Sequence, residues 1–228
     1  MILKRHYTPE LMDDFSIQDK RIDLALRELQ IINKYLGGNK TTKKGLNILL
    51  QKIPSKSTVK VLDVGSGSSD TILSNKNNGY DINIYGIDLN KRACIYAMSK
   101  SPELKVICGN IYSIPVKLNE FDIAHASLVF HHFKEKDIQY LLAKMIESVK
   151  YGIIINDLRR SIYAFIGIKL LTLIFSKSVM VKNDGPLSVK RGFVKKDLIK
   201  ILSNLNINNY EIKKTWAFRW LVIIYKNN

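Results

Sequence analysis

From residue 59 onward the chain alternates between two kinds of segment, and this constrains its fold more than any other feature. Short apolar runs of strand length occur at 59–64 (VKVLDV), 82–87 (INIYGI), 105–108 (KVIC), 121–126 (FDIAHA) and 151–156 (YGIIIN), with polar or amphipathic stretches between them. The clearest helix among those stretches is 135–149, where Ile138, Leu141, Leu142, Met145, Ile146 and Val149 recur at i, i+3, i+4, i+7. Strands that take turns with helices need crossover connections, hence βαβ units around a mostly parallel sheet. After residue 193 a helix (194–204) precedes two strand-like runs, 207–214 and 219–225, joined by a short loop that predicts an antiparallel hairpin. The expected fold is α/β, with seven strands, mostly parallel, ending in that hairpin.

Two helices are expected before the alternation begins. Residues 17–36 place Ile22, Ala25, Leu26, Leu29, Ile32 and Leu36 on one face, with Gly37-Gly38 closing the helix. A shorter one, 41–52, carries Leu46, Leu49, Leu50 and Ile53 before Pro54. Together they predict a helical N-terminal extension, 1–58, packed on a core domain, 59–228. The segment 162–175 (IYAFIGIKLLTLIF) stands outside the alternation. It contains Lys169 and is shorter than the ~20 apolar residues a bilayer span needs, so a buried or interfacial helix is expected. The insertion 158–192 around it would form a lid or a wall of a substrate pocket.

Composition narrows the setting. The 228 residues are 46% hydrophobic, ample for a core, and carry a formal net charge of +16. The pI near 9.7 favours anionic partners, but the lysines are scattered, which predicts a generally basic, solvated surface. The N-terminal MILKRHYTPELMDD has basic residues without an uninterrupted apolar stretch behind them, so no secretory signal is expected. Cys94 and Cys108 form no CxxC pair and no histidines cluster at ligand spacing, so neither a disulfide framework nor a metal site is expected. A reducing cytoplasm fits this usage.

The stretch VLDVGSGSSD, 61–70, is a strand running into a glycine turn and a helix. A P-loop would need Lys-Ser/Thr after the last glycine, where Ser69-Asp70-Thr71 stands. A dinucleotide fingerprint would need its third glycine at 70, and an aspartate at that helix N-terminus would repel pyrophosphate. Asp63, two residues before Gly65, is expected to point its carboxylate into the cleft, which suits a cationic ligand without phosphate such as S-adenosylmethionine. Gly65 and Gly67 would let the backbone pass close to it. Asp88, 25 positions after Asp63, ends the second strand where an acid can hold ribose hydroxyls. Asn110 would read the adenine edge and Ile111 cover its face, while Ser127 and Leu128 leave the fourth strand on the same edge of the sheet.

With these markers, residues 59–133 resemble a class I S-adenosylmethionine-dependent methyltransferase. Asp63-Val64-Gly65-Ser66-Gly67 matches the family's D/E-x-G-x-G loop, Asp88 its acid after the second strand, and Asn110 stands where the family often has Asp. Ser69 departs from the common third glycine. The resemblance implies a Rossmann-like sheet and a cofactor site of Asp63, Gly65, Ser66, Gly67, Asp88, Leu89, Asn110, Ile111 and Ser127. Outside that core, ELMDD (10–14), FHHF (130–133), NDLRRS (156–161) and NDGPLSVKRGF (183–193) resemble motifs of bacterial small-molecule methyltransferases of the ubiquinone/menaquinone-biosynthesis-like type. That subgroup is associated with gene neighbourhoods holding type III polyketide synthases and flavin-dependent reductases.

Methyl transfer is an in-line displacement, so alignment and exclusion of water matter most, with a base where the acceptor must lose a proton. His131 and His132, just after the fourth strand, are the candidates; otherwise one caps the next helix and the other packs inside. His125, mid-strand, is expected to be a satisfied core histidine. Arg160 and Arg191 would steady an oxyanion or carboxylate of the acceptor, unless they only form the ion pairs Asp157–Arg160 and Asp184–Arg191. Trp216, Phe218 and Trp220 are expected to pack the last two strands, with an aromatic platform as the alternative. The expected activity is methyl transfer to oxygen, with carbon second, of a hydrophobic aromatic or polyketide-like small molecule in secondary metabolism. An RNA or protein methyltransferase and a non-catalytic scaffold are the alternatives. Against nucleic acid, Ser127-Leu128-Val129-Phe130 replaces the N/D-P-P-Y/F tetrad of enzymes that methylate base amino groups. Peripheral membrane contact is compatible with the apolar 162–175 helix, and a monomer or a homodimer is expected.

Overall fold

The computed structural model describes residues 4–54, 57–75, 79–112 and 117–226. Its seven strands are β1 (Thr58–Val64), β2 (Asp81–Asp88), β3 (Lys105–Cys108), β4 (Phe121–Ser127), β5 (Val149–Leu158), β6 (Tyr210–Thr215) and β7 (Arg219–Tyr225). They form one sheet in the order β3-β2-β1-β4-β5-β7-β6. The first five are parallel, and β7 runs antiparallel to both of its neighbours. The order reverses between β1 and β4, so the loops leaving their carboxyl ends diverge and open a crevice. The Rossmann-like sheet and its C-terminal hairpin are as the sequence predicts, with β6 beginning at Tyr210.

β1 and β4 are apolar on both faces because helices cover both. On one side α2 (Gly38–Leu50) places Leu46, Leu49 and Leu50 against Val59, Val61, Ile123 and Ile154. On the other, α5 (Glu135–Ser148) and α8 (Lys195–Asn204) bury Ile138, Leu141, Leu142, Leu198 and Ile201 against β4, β5 and β7. The short α3 (Asp70–Leu73) follows the glycine turn and α4 (Lys91–Lys100) fills the crossover to β3. α1 (Lys20–Tyr35) presents Ile22, Ala25 and Leu26 to Ala93 of α4 and to Met180 and Val181 of α7 (Val179–Arg191).

The insertion after β5 is a pair of packed helices. α6 (Ile162–Phe175) has the limits its apolar run predicts. α7 carries Asp184-Gly185-Pro186, residues of turn chemistry, inside a helix. Pro186 forfeits one i→i−4 hydrogen bond. The turn of helix around it is tied from outside, since the Asp184 carboxylate accepts the N–H groups of Leu11 (2.8 Å) and Met12 (3.0 Å). Among the described residues no helix is long and apolar enough to cross a membrane.

Candidate active site

A cavity of about 810 Å³ lies at the carboxyl edge of the sheet, roofed by α1, α6 and α7. That is near the upper end of small-molecule pockets, ~300–1,000 Å³. One half is built on the glycine turn. Gly65 has φ +61°, and a Cβ there would lie 2.6 Å from Val129 Cγ2, so only glycine fits. Asp88 accepts the N–H groups of Gly67 and Asn90, both at 2.8 Å, one on each carboxylate oxygen. Each oxygen keeps a further lone pair. Burial pushes the Asp88 carboxyl above its ordinary range, although those two hydrogen bonds oppose the shift. The hydroxyls of Ser66 and Ser127 line the same half, buried and without a hydrogen-bond partner. Leu89, Asn110 and Ile111 also border the cavity. Asn110 already accepts the Tyr112 N–H at 2.9 Å, so its carbonyl has one lone pair left.

Asp63 is placed otherwise than expected. It is 2% exposed and does not reach the cavity; its carboxylate meets Nδ1 of His125 at 2.7 Å. The two are partners in the β1–β4 register, and Thr42 Oγ1 lies 3.0 Å from the other ring nitrogen. His125 is therefore the satisfied core histidine its apolar neighbours predict. Ser69 holds a left-handed conformation, φ +52°, in the position of the missing third glycine, with its hydroxyl buried and unpartnered. A left-handed L-residue costs ~1–2 kcal/mol. Ser69→Gly is therefore expected to raise the thermal midpoint by about 2–4 °C, read by thermal melting; an unchanged or lower midpoint would count against that strain.

The other half of the cavity is walled by Tyr163, Ala164, Gly167, Ile168 and Leu171 of α6. Between the halves sits a cluster of acids and imidazoles. His131 Nδ1 lies 2.7 Å from Asp157 Oδ1, and His132 Nδ1 lies 2.6 Å from Asp13 Oδ1. The two rings are 4.2 Å apart. Glu10 faces both, 3.6 Å from His131 Nε2 and 4.0 Å from His132 Nε2. Burial pushes Glu10 up to about 7. Asp157 is buried and Asp13 half-buried, which raises both, yet the hydrogen bond and charge of His132 hold Asp13, and those of His131 hold Asp157, below the ordinary carboxylate range. One donor atom from each of Glu10, His131 and His132 lies within 4.8 Å of the others, a set that can hold a metal ion. No metal-ligand spacing along the chain announces it, because Glu10 is distant in sequence.

Residues 61–152 match the model of a family described as a methyltransferase domain. This stretch is a methyltransferase domain. Human N-acetylserotonin methyltransferase, solved with S-adenosylmethionine, superposes with a TM-score of 0.68 at 15% identity, covering 99% of this chain and 63% of that one. The plantazolicin methyltransferase BpumL gives 0.65 at 14% identity, covering 95% and 89%. An S-adenosylmethionine-dependent methyltransferase of Aquifex aeolicus gives 0.58 at 17% identity, covering 79% and 89%. Curated proteins yield no sequence match. The residues of the methyltransferase domain fit S-adenosylmethionine. The two unpartnered hydroxyls and the spare lone pairs of Asp88 are open to a polar ligand, and the Asp70 carboxyl at the cavity wall suits a cation.

Two arginines expected at the acceptor do not line the cavity. Arg160 donates to Gly192 O (2.7 Å) and pairs with Asp197 at 3.2 Å, away from the cavity. Arg191 pairs with Asp13 (2.7 Å) and donates to the carbonyls of Thr8, His131 and His132. Neither forms the ion pair that was the alternative, since Asp157 serves His131 and Asp184 serves residues 11 and 12. Neither histidine caps a helix; α5 begins after Lys134. Trp220 packs as expected, its indole N–H donating to Phe193 O at 2.9 Å, whereas Trp216 is 72% exposed at the cavity rim. Sequence reasoning gave no role to Glu10 and Asp13, although ELMDD contains both. It also passed over Arg219, which joins Leu36 O, Asn33 and Asn156 beside the glycine turn.

Proposed function

We propose that the protein transfers the methyl group of S-adenosylmethionine to an oxygen of a hydrophobic aromatic or polyketide-like small molecule. One observation carries this: two imidazoles, each fixed through Nδ1 to a carboxylate, stand where the polar cofactor half meets the apolar α6 half. An imidazole that donates its Nδ1–H keeps a lone pair on Nε2. Nε2 of His131 or His132 would take the proton of an acceptor hydroxyl as its oxygen bonds to the methyl carbon and the sulfur–carbon bond breaks. Asp88 would hold the ribose hydroxyls, Leu89 and Ile111 the adenine faces, and Asn110 its edge. Ser66 and Ser127 would meet the methionine portion, while Asp63 acts only by fixing β1 to β4. Arg160 and Arg191 would position the site from behind. Human N-acetylserotonin methyltransferase and the plantazolicin enzyme are, by name, small-molecule or natural-product methyltransferases, which supports an acceptor of that size.

The test pairs calorimetry of S-adenosylmethionine and its demethylated product with labelled-methyl transfer to a panel of phenols and enols. Binding of both ligands and labelling at oxygen are expected; absence of binding sinks the proposal. Asp88→Ala should weaken cofactor binding roughly 100-fold, two hydrogen bonds to a charged group being lost. Because burial raises the Asp88 carboxyl, its ionised form disappears early on acidification. Cofactor affinity should therefore begin to fall at a higher pH than for an ordinary carboxylate.

The outer face of α6 supports a peripheral contact with an anionic bilayer. Leu173, Ile174 and Phe175 are between 65% and 76% exposed, Tyr163 is exposed at the rim, and Lys169 and Lys177 flank them on a chain of net charge +16. An apolar helix face rimmed by lysines lies in an anionic interface. The protein should sediment with phosphatidylglycerol vesicles but not with phosphatidylcholine ones, and Phe175→Asp should weaken this. No sedimentation, or a dimer that buries Phe175, would overturn it.

A further inference from the structure

We propose that Glu10, His131 and His132 bind a divalent transition metal at the acceptor end of the cavity, zinc being the one their donors suit best. Both imidazoles direct Nδ1 at a carboxylate, His131 at Asp157 and His132 at Asp13. In the neutral imidazole this places the hydrogen on Nδ1 and the lone pair on Nε2, and a carboxylate behind each histidine is the arrangement that orients metal-binding imidazoles. The two Nε2 atoms face one carboxylate, at 3.6 Å from Glu10 Oε1 and 4.0 Å from Glu10 Oε2. Donors on one tetrahedral zinc, at bonds of about 2.1 Å, lie roughly 3.4 Å apart, close to the two separations between Glu10 and the histidines.

A second observation stands apart from the distances. Glu10 is 6% exposed, and its Oε1, turned into this cluster, has no hydrogen-bond partner. The nearest cation, Arg191 Nη1, is 3.6 Å away and occupied with Asp13 and the Thr8 carbonyl. A buried carboxylate oxygen without a donor is costly, and a cation between the imidazoles would supply what it lacks. Two neutral histidines and one glutamate are the protein ligands of several open zinc sites, with the remaining position left for a substrate oxygen. Here that position faces the cavity that His131, His132 and Glu10 all line.

The binding of zinc does not depend on the methyl-transfer reading, but its role rests on it. A dication beside an acceptor hydroxyl favours the oxyanion, as zinc does for water. In the metal-free protein the same two lone pairs are free to take the proton directly.

The test uses the full chain, stripped with chelator, dialysed and titrated calorimetrically with zinc alone. One equivalent should bind, the melting temperature should rise, and Glu10→Gln and His132→Gln should each weaken binding by at least ~100-fold, beyond the 10–100-fold of losing an outer-shell partner. Glu10→Gln preserves shape and so separates loss of a ligand from loss of the fold. Binding that survives both changes but disappears with Cys108→Ser would place zinc on the exposed thiol and overturn the proposal. So would stripped protein that takes up no zinc. S-adenosylmethionine titrated in parallel distinguishes the two conclusions: zinc failure with cofactor binding intact leaves methyl transfer standing.

Discussion

Replacing Arg191 by alanine is expected to cost about 3–5 kcal/mol of stability and to abolish methyl transfer with it. The side chain is 3% exposed and its guanidinium has four partners within 3.2 Å: Asp13 (2.7 Å) and the carbonyls of His132 (2.8 Å), Thr8 (3.0 Å) and His131 (3.2 Å). Removal takes its ion partner from the half-buried Asp13 and a donor from three carbonyls at once. It also releases the segment holding Glu10 and Asp13 from the turn holding His131 and His132. Lysine should restore little, because a single ammonium cannot reach four partners set out for a planar fork. Chemical denaturation measures the first effect and labelled-methyl transfer the second. An arginine that instead steadied the acceptor's oxyanion would leave stability within ~0.5 kcal/mol when removed and lower turnover alone. That outcome would return Arg191 to the substrate.

The parts of the molecule that were legible in the sequence are those governed by local pattern. The five parallel strands and the limits of α6 follow from the lengths of apolar runs, and α5 from a spacing of 3.6 residues, which tertiary packing only confirms. The glycine turn was legible for a different reason, since a backbone at positive φ narrows residue choice. Even there Ser69 departs from the rule, holding φ +52° without glycine's freedom. What was not legible depends on contacts between distant segments. Gly185-Pro186 signals a turn, and the helix survives because Asp184 is tied to Leu11 and Met12. Asp63 stands at the right place to face the cleft, but its register partner across β1–β4 is a histidine that claims its carboxylate. Glu10 and Asp13 lie more than a hundred residues before the histidines they serve, with no periodicity to link them. ELMDD and FHHF were each visible as motifs; that they form one site is a property of the fold.

Asp157→Asn should lower methyl transfer by roughly 10²- to 10⁴-fold while leaving cofactor affinity almost unchanged. Asp157 is 1% exposed, with Oδ1 accepting from His131 Nδ1 (2.7 Å) and the Leu158 N–H (2.7 Å), and Oδ2 from the His131 N–H (3.3 Å). The ionised carboxylate persists against burial because His131 compensates it. An amide of the same shape fails in either orientation. With its oxygen toward the imidazole, the tautomer is kept but the charge that makes His131 a better base is gone, and an NH₂ confronts the His131 N–H. With its nitrogen toward the imidazole, Nδ1 must accept, the proton moves to Nε2, and the lone pair facing the acceptor is lost. Stability should fall by only ~1–3 kcal/mol, one buried donor being left unpaired. The decisive comparison is kcat against the dissociation constant of S-adenosylmethionine, because Asp157 does not line the cofactor half of the cavity. A zinc titration of the same variant should show a 10- to 100-fold loss if the metal site exists, an outer-shell carboxylate having been neutralised at about that cost elsewhere. Unchanged turnover would mean that His131 only packs, and the proton would then have to leave through His132 and Asp13.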